Sequence, residues 1–334
     1  MSRHRNPVRW GIIGLGKIAH TLADGINSSD NAVLAAVASR SAVKAADFAR
    51  QHGAASVLEG YQCLLDDPAV DVVYIALPNH LHCEWAIKAA RAGKHILCEK
   101  PFAVTEREAE QMVAAAREAG VFLMEAFMYR CEHPATLRLL EIIRSGEIGQ
   151  LRMLRFSFCY NLGPEYENIR LSNPAAGGAL MDVGCYPISL ARLLADAEPL
   201  EMTAAAHIGP TSRVDEIFAG VLTFPGGLVA TLTAGTQVAA DNRAEIWGSD
   251  GHILVDSVYH PPSEGHKIDV EVSGKRRTEQ ISTGKTPAQV QVEYVGRHLD
   301  RQESDGMDWQ DTLANQRVLD ALRERIGLVF DCER

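Results

Sequence analysis

Short apolar runs alternate with amphipathic stretches along the first third of the chain. "VRWGII", "AVLAAVAS", "DVVYIAL", "KHILC" and "VFLMEAFMYR" read as strands buried on both faces. Between them, "KIAHTLADGI", "HCEWAIKAARAG" and "TEREAEQMVAAAREAG" repeat their apolar residues at helical spacing. Strand and helix in strict alternation predict a doubly wound parallel sheet, so the fold class is α/β. From about residue 131 the rhythm changes. "GQLRMLRFSFCYN", "EMTAAAHIG", "DEIFAGVLTFPGGLVATLTAGT", "RAEIWGSDGHILVD", "KIDVEVSG" and "RRTEQIS" alternate polar with apolar positions. That period belongs to strands with one differently packed face. "LTFPGGLVATL" is a hairpin by its Pro-Gly-Gly turn. The second half is therefore expected to be an α+β domain with a large, mainly antiparallel open sheet. The expected division is 1–130, then 131–305, then a C-terminal helix over 306–334 that packs back on the first domain.

The chemistry begins at the first strand–helix junction. Gly14-Leu15-Gly16-Lys17-Ile18-Ala19 is a G-x-G-x-x-A motif. Gly14 permits the tight turn, Gly16 lets a pyrophosphate approach the backbone, and Ala19 lets helix and strand pack closely. The free N–H groups of the helix start, at Lys17 and Ile18, then face the phosphates. This is the signature of a Rossmann dinucleotide-binding domain. The second strand ends in Ser39 and Arg40, with Lys44 one turn on, where an NAD-preferring domain usually places an acid. A carboxylate repels a 2′-phosphate, whereas an arginine forks onto it. NADP is expected in preference to NAD; the alternative is that Arg40 is a solvated loop charge.

The remaining strand ends of that sheet carry polar groups at the edge where ligands bind. Pro78, Asn79 and His82 follow the third apolar run, placed to line the cofactor or cap the next helix. Lys100 follows "HILCE", and Pro101 holds it extended. In the second half, "GGALMDVGCYPISLARLLAD" has helical spacing from Leu180, which puts Asp182 and Tyr186 on one face as i and i+4. Tyr160, Asn161 and Arg170 precede this helix as candidates for binding hydroxyls. His80 and His82 have no third ligand at metal spacing, so no metal is expected.

Composition narrows the class. The chain has 334 residues, 46% apolar and 23% charged, with a net charge of −10. The length suggests two domains. The charge argues against nucleic acid or an anionic membrane as main partner. No apolar stretch spans a bilayer, and the N-terminus lacks an apolar signal segment. Seven scattered cysteines without a C-x-x-C pair fit a reducing cytoplasm.

The glycine motif, Glu99-Lys100-Pro101, "MEAFMYR" (124–130) and "GGALMDVGCYP" (177–187), in this order, resemble the glucose–fructose oxidoreductase/inositol dehydrogenase (Gfo/Idh/MocA) family over nearly the whole chain. Many members carry histidine where this chain has Tyr186. The resemblance is closest to the branch of dimeric dihydrodiol dehydrogenase, NADP-dependent xylose dehydrogenase and sugar 3-ketoreductases. It implies that Glu99 and Lys100 border the nicotinamide, often with a cis peptide before the proline. It also implies a homodimer or homotetramer joined through the open sheet. The implied activity is hydride transfer at a hydroxyl- or carbonyl-bearing carbon of a sugar, polyol or cyclic diol. Tyr186 would be the acid/base, and Asp182 would orient substrate hydroxyls or Lys100. A free tyrosine titrates near ~10, and a nearby ammonium such as Lys100 favours its phenolate. Three alternatives stand beside this expectation: a non-catalytic NADP-binding sensor, a nicotinamide-dependent glycosidase of the same fold, and a scaffolding protein.

Overall fold

The structure, a computed structural model, describes residues 7–334. In chain order the elements begin β1 (Val8–Ile13), α1 (Lys17–Asn27), β2 (Ala32–Ser39), α2 (Ala42–His52), β3 (Ser56–Glu59) and α3 (Tyr61–Leu65). They continue with β4 (Val72–Ile75), α4 (His82–Arg91), β5 (His95–Cys98), α5 (Glu106–Ala119) and β6 (Leu123–Glu125). Then come α6 (Pro134–Arg144), β7 (Leu151–Asn161), a π-turn (Leu180–Gly184), α7 (Cys185–Ala195), β8 (Glu201–Ile208), β9 (Asp215–Thr223) and β10 (Val229–Gly235). The chain ends with β11 (Gln237–Gly248), β12 (Gly251–Asp256), β13 (His266–Val272), β14 (Lys275–Ile281), α8 (Pro287–His298) and α9 (Trp309–Arg325). Two compact units result. One comprises the chain to Glu132 with Lys285–Leu313; the other comprises His133–Gly284 with Ala314–Arg334.

The first unit is a six-stranded sheet in the order β3-β2-β1-β4-β5-β6, all parallel. This is the doubly wound order whose ligand crevice lies between β1 and β4, where the winding reverses. Apolar side chains leave both faces. Trp10, Ile12, Leu34, Tyr74 and Phe122 pack with α1, α2 and α8; Ile13, Val73, Ile75, Ile96 and Leu123 pack with α3, α4 and α5. The helices start and stop on local chemistry. Ser41 Oγ accepts the Lys44 N–H at 3.3 Å, Thr105 Oγ1 accepts the Glu108 N–H at 3.2 Å, and Gly53 and Gly120 close α2 and α5 in the left-handed conformation.

The domain division differs from the expected one after residue 284. Residues 285–305, expected in the second domain, group with the first. The reason is the apolar stripe of α8. Ala288, Val292, Val295 and Leu299 are buried, and the backbone of Ala288 lies within 3 Å of where a Cβ on Gly25 would stand. The C-terminal helix, expected to pack back on the first domain, is divided. Its first turn, with buried Trp309 donating to the Leu123 carbonyl at 3.0 Å, belongs to the first unit, and the rest belongs to the second.

The second unit is an eight-stranded sheet ordered β14-β13-β12-β11-β7-β10-β9-β8. Every pair is antiparallel except β10 with β7. The Pro225–Gly227 turn joins β9 to β10 as expected from the sequence. One sheet face packs with α7, whose residues are almost all buried. The loop entering the π-turn is held by one acid. Asp215 is fully buried; its Oδ2 accepts the Leu180 N–H at 2.6 Å, and its Oδ1 lies 2.1 Å from where a Cβ on Gly178 would stand. Among the described residues Oδ1 has no hydrogen-bond partner.

That environment sets a pH dependence. Burial pushes the Asp215 pKa up to about 7, against the pull of the Leu180 N–H. The folded chain therefore keeps this proton through a range where the unfolded chain, near ~3.9, has lost it. The resulting contribution is full below about pH 4, falls as pH rises, and is gone above about pH 7. Asp215→Asn is expected to be more stable than the parent above pH 7 and to flatten this slope. Chemical denaturation at pH 5 and pH 8 checks it; equal slopes for parent and variant would refute the assignment.

Candidate active site

In the first unit the expected dinucleotide residues fall at one edge of the sheet. Gly14 follows β1 with φ 87°, and a Cβ there would stand 2.4 Å from the Ala76 carbonyl oxygen. Glycine is thus required by the chain itself. Gly16 is different. Its φ is −84°, open to any residue, and a Cβ there would meet nothing within 4 Å. The space over Gly16 fits a pyrophosphate approaching the helix start. Lys17 and Ile18 begin α1, and Ala19 is fully buried against the sheet. Ser39 ends β2 and accepts the Ser41 N–H at 3.1 Å. Arg40 and Lys44 are exposed on either side of the α2 cap.

Three expectations at the β4 and β5 ends need correction. Asn79 does not cap α4; it opens a short 3-10 turn after Pro78, and no side chain caps α4. His82 does not line the cofactor. It is fully buried, with Nδ1 2.9 Å from the Pro101 carbonyl and Nε2 2.8 Å from the Leu77 carbonyl. Burial pushes its pKa down, and the Lys100 charge adds to this. Glu99 turns inward as well. Its Oε1 accepts from the Tyr74 hydroxyl and its Oε2 accepts the Lys100 N–H at 3.3 Å, and the residue is buried. Lys100 itself is half-buried, and the Lys100–Pro101 peptide is cis.

In the second unit the structure gathers three of the expected residues. The Asp182 Oδ2 accepts from the Tyr160 hydroxyl and from Arg170 Nε, the latter at 3.0 Å. Tyr160 comes from β7, Arg170 from a 3-10 turn (Ile169–Leu171) and Asp182 from the π-turn. Asp182 is 13% exposed and Arg170 33%, so the cluster borders solvent. Asn161, one residue past Tyr160, is exposed, and its Oδ1 accepts the Gly163 N–H. Tyr186 lies in the first turn of α7, four residues after Asp182, and is 5% exposed. The π-turn was not visible in the sequence. Such turns insert one residue into a helix and recur at functional sites.

Three neighbours of Tyr186 were also missed. The Phe158 ring lies 5.3 Å from the Tyr186 ring, Tyr259 5.4 Å and His260 5.5 Å. Phe158 was readable in part, because it sits two residues before Tyr160 on the same strand and shares its face. Tyr259 and His260 follow β12 and carried no local signal. Among the described residues, no group of three or more His, Cys, Asp or Glu is arranged to hold a metal ion. No helix among them is long and apolar enough to cross a membrane.

Known proteins with the same organisation confirm the family. Residues 8–127 match an oxidoreductase family with an NAD-binding Rossmann fold, and residues 136–254 match the GFO/IDH/MocA C-terminal domain. The chain is 37% identical to a dTDP-3,4-didehydro-2,6-dideoxy-alpha-D-glucose 3-reductase of Actinomadura kijaniata, over 83% of this chain and 82% of that one. It is 29% identical to a trans-1,2-dihydrobenzene-1,2-diol dehydrogenase of Danio rerio, over 97% of this chain and 98% of that one. A solved 3-ketoreductase from Actinomadura kijaniata, in complex with NADP and TDP-benzene, superposes with a TM-score of 0.89. That structure is 31% identical to this chain and covers 96% of it, with 98% of its own length matched. With both halves of the motif set matched in order, the chain belongs to the GFO/IDH/MocA family of oxidoreductases.

Proposed function

We propose that this chain is an NADP(H)-dependent oxidoreductase acting on a hydroxyl- or carbonyl-bearing carbon of a sugar, polyol or cyclic diol. The observation that carries the reading is the Asp182 carboxylate, gathered by Tyr160 and Arg170 just before Tyr186 on the same helical segment. An acceptor flanked by a phenol and a guanidinium is suited to vicinal hydroxyls, which both donate and accept. The keto-sugar reductase and dihydrodiol dehydrogenase relatives support the substrate class. The NADP bound by the solved 3-ketoreductase supports the cofactor.

Gly14, Gly16, Lys17 and Ile18 would hold the pyrophosphate, and Ser39, Arg40 and Lys44 the 2′-phosphorylated ribose. Pro78 and Asn79 would border the crevice. When bound, the cofactor supplies or accepts the hydride. The chain handles the proton. In reduction, Tyr186 Oη donates to the oxygen that gains negative charge; in oxidation, its phenolate takes the proton of the reacting hydroxyl. As the family resemblance implies, the Lys100 ammonium would assist this step by favouring negative charge on the phenol or the reacting oxygen. Asp182 and the Tyr160 oxygen accept from neighbouring hydroxyls of the substrate, and the Arg170 guanidinium donates to them.

Two further assignments accompany this reading. A second copy of the chain covers the open face of the eight-stranded sheet, where Ile217 and Val221 of β9 are exposed. The chain works in the cytoplasm, in keeping with its seven scattered cysteines, five of them buried.

The cofactor assignment has a steric test. Gly16→Val meets no neighbour and a permitted φ, so its melting temperature is expected within about 3 °C of the parent. Its NADP affinity is expected to fall roughly tenfold or more, read by nucleotide fluorescence titration. Arg40→Asp is expected to move the NADP-over-NAD preference by roughly tenfold or more toward NAD. Unchanged affinity in the first variant or unchanged preference in the second would remove these residues from the cofactor site.

The chemistry is tested by nicotinamide absorbance on a panel of D-xylose, myo-inositol, levoglucosan, trans-1,2-cyclohexanediol and a dTDP-linked keto sugar. Lys100→Met and Tyr186→Phe are each expected to lower turnover about 100-fold or more while leaving NADP affinity within a few-fold. Near-parental turnover in either variant sinks that residue's role. NADP binding without turnover of any compound would point to a sensor instead. For the oligomer, Val221→Lys is expected to shift the sedimentation mass to that of one chain; a parent that already sediments as one chain disproves the assembly.

A further inference from the structure

Three buried side chains that the proton chemistry does not use converge on the peptide groups around Lys100. Glu99 accepts the Lys100 N–H at 3.3 Å and is itself anchored by the Tyr74 hydroxyl from β4. Glu125, the last residue of β6, accepts the Phe102 N–H on Oε1 at 3.0 Å. His82 spans two carbonyl oxygens, Pro101 at 2.9 Å and Leu77 at 2.8 Å. The main chain from residue 99 to residue 102 is thus tied to β4, to the turn after it, to the start of α4 and to β6. Glu99, Pro101 and Phe102 are buried; Lys100 alone in this stretch is half-exposed.

Burying two acids and a histidine under one short turn is costly, because each loses its hydration. A turn that only ended a strand would need none of them. The return is a fixed backbone beneath a long, flexible side chain. A lysine has four rotatable bonds and loses considerable rotamer freedom when ordered. Fixing its Cα removes the remaining source of error in where the ammonium lies. Misplacing a catalytic group by about 1 Å costs on the order of 100-fold in rate.

We infer that His82 and Glu125 are positioning residues for Lys100, holding the peptide groups on its C-terminal side so that its ammonium is aimed by the main chain. The inference rests on the reading of Lys100 given under Proposed function. It assigns the buried polar residues around the Glu-Lys-Pro triplet to aim rather than to ligand contact.

The test uses the intact chain. His82→Phe keeps the ring's bulk and removes both nitrogens; His82→Gln keeps one donor on a flexible stem. Two readouts are taken. The first is turnover of the best substrate of the panel, measured in the parent and in Lys100→Met. His82→Phe is expected to lower turnover roughly 30-fold or more with NADP affinity within about threefold, and to add nothing in the Lys100→Met background, since residues acting as one unit are not additive. The second needs no substrate: the rate at which acetic anhydride labels Lys100, relative to Lys44, by peptide mass spectrometry. It is expected to rise about threefold or more in His82→Phe and to return toward the parent in His82→Gln.

Parental turnover and labelling in a folded His82→Phe would overturn the inference. So would losses that multiply with that of Lys100→Met. If His82→Phe does not fold, Glu125→Ala decides: parental labelling and turnover in that variant overturn the inference, and faster labelling with lower turnover supports it. If Lys100→Met itself turns over normally, the catalytic reading of Lys100 falls, and the labelling rate alone decides whether His82 holds it.

Discussion

One row of parallel pairing fixes most of the first unit's chemistry. Ala38 lies opposite Ile13, Ile13 opposite Ile75, Ile75 opposite Cys98, and Cys98 opposite Glu125. The next residue along each strand is Ser39, Gly14, Ala76, Glu99 and Ala126. Every candidate residue of that unit departs from this line or from the turn just past it. Because side chains alternate along a strand, a slip of one residue would exchange the two faces of the sheet and move the whole line. The apolar contacts on both faces that hold the register therefore also place the glycine turn and the lysine. Gly14 shows the coupling: its Cα faces the Ala76 carbonyl because of this pairing, and no side chain fits there.

What the sequence disclosed and what it hid follow the same line. Positions along a strand or at a helix start were legible: Gly14, Gly16, Arg40 and Lys100 all stand where the strand ends were read. Residues whose role depends on the direction of a side chain were not. His82 and Glu99 are polar and lie near the ligand edge, so sequence reasoning gave them to the cofactor. In the structure both face inward: the Leu77 and Pro101 carbonyls meet His82, and the Tyr74 hydroxyl meets Glu99. Two of those partners lie 19 and 25 residues away, and none carries a local pattern. The same limit applies to α8. Residues 285–305 were assigned to the second domain, because no local pattern says which sheet the apolar side of this helix covers.

The second unit shows a different kind of hidden information. Tyr160, Arg170 and Asp182 were each named from composition and order, yet only loop geometry joins them. The chain from Asn161 to Leu180 has to fold back so that Arg170 reaches the acid. That return is stitched by Asn168, whose Oδ1 accepts the Arg170 N–H, and by the Gly178 N–H bonded to the Arg170 carbonyl. The π-turn then presents Asp182 before the regular helix resumes at Cys185. Period analysis reads a π-turn as ordinary helix, because a single inserted residue is within the tolerance of the pattern.

The buried and half-buried acids of the two units also separate by what donates to them. Glu99 receives a hydroxyl and a backbone N–H, and Asp182 receives a phenol and a full positive charge from Arg170. Asp215 receives the Leu180 N–H, its other oxygen has no partner among the described residues, and its pKa rises to about 7. The gradation matches position. The acid that borders solvent and would meet a polar substrate is the one matched with a cation. The acid deepest under the π-turn is the one left near neutrality, where a proton substitutes for a partner. The supply of donors thus separates Asp182, which borders solvent, from Asp215, which holds the loop entering the π-turn.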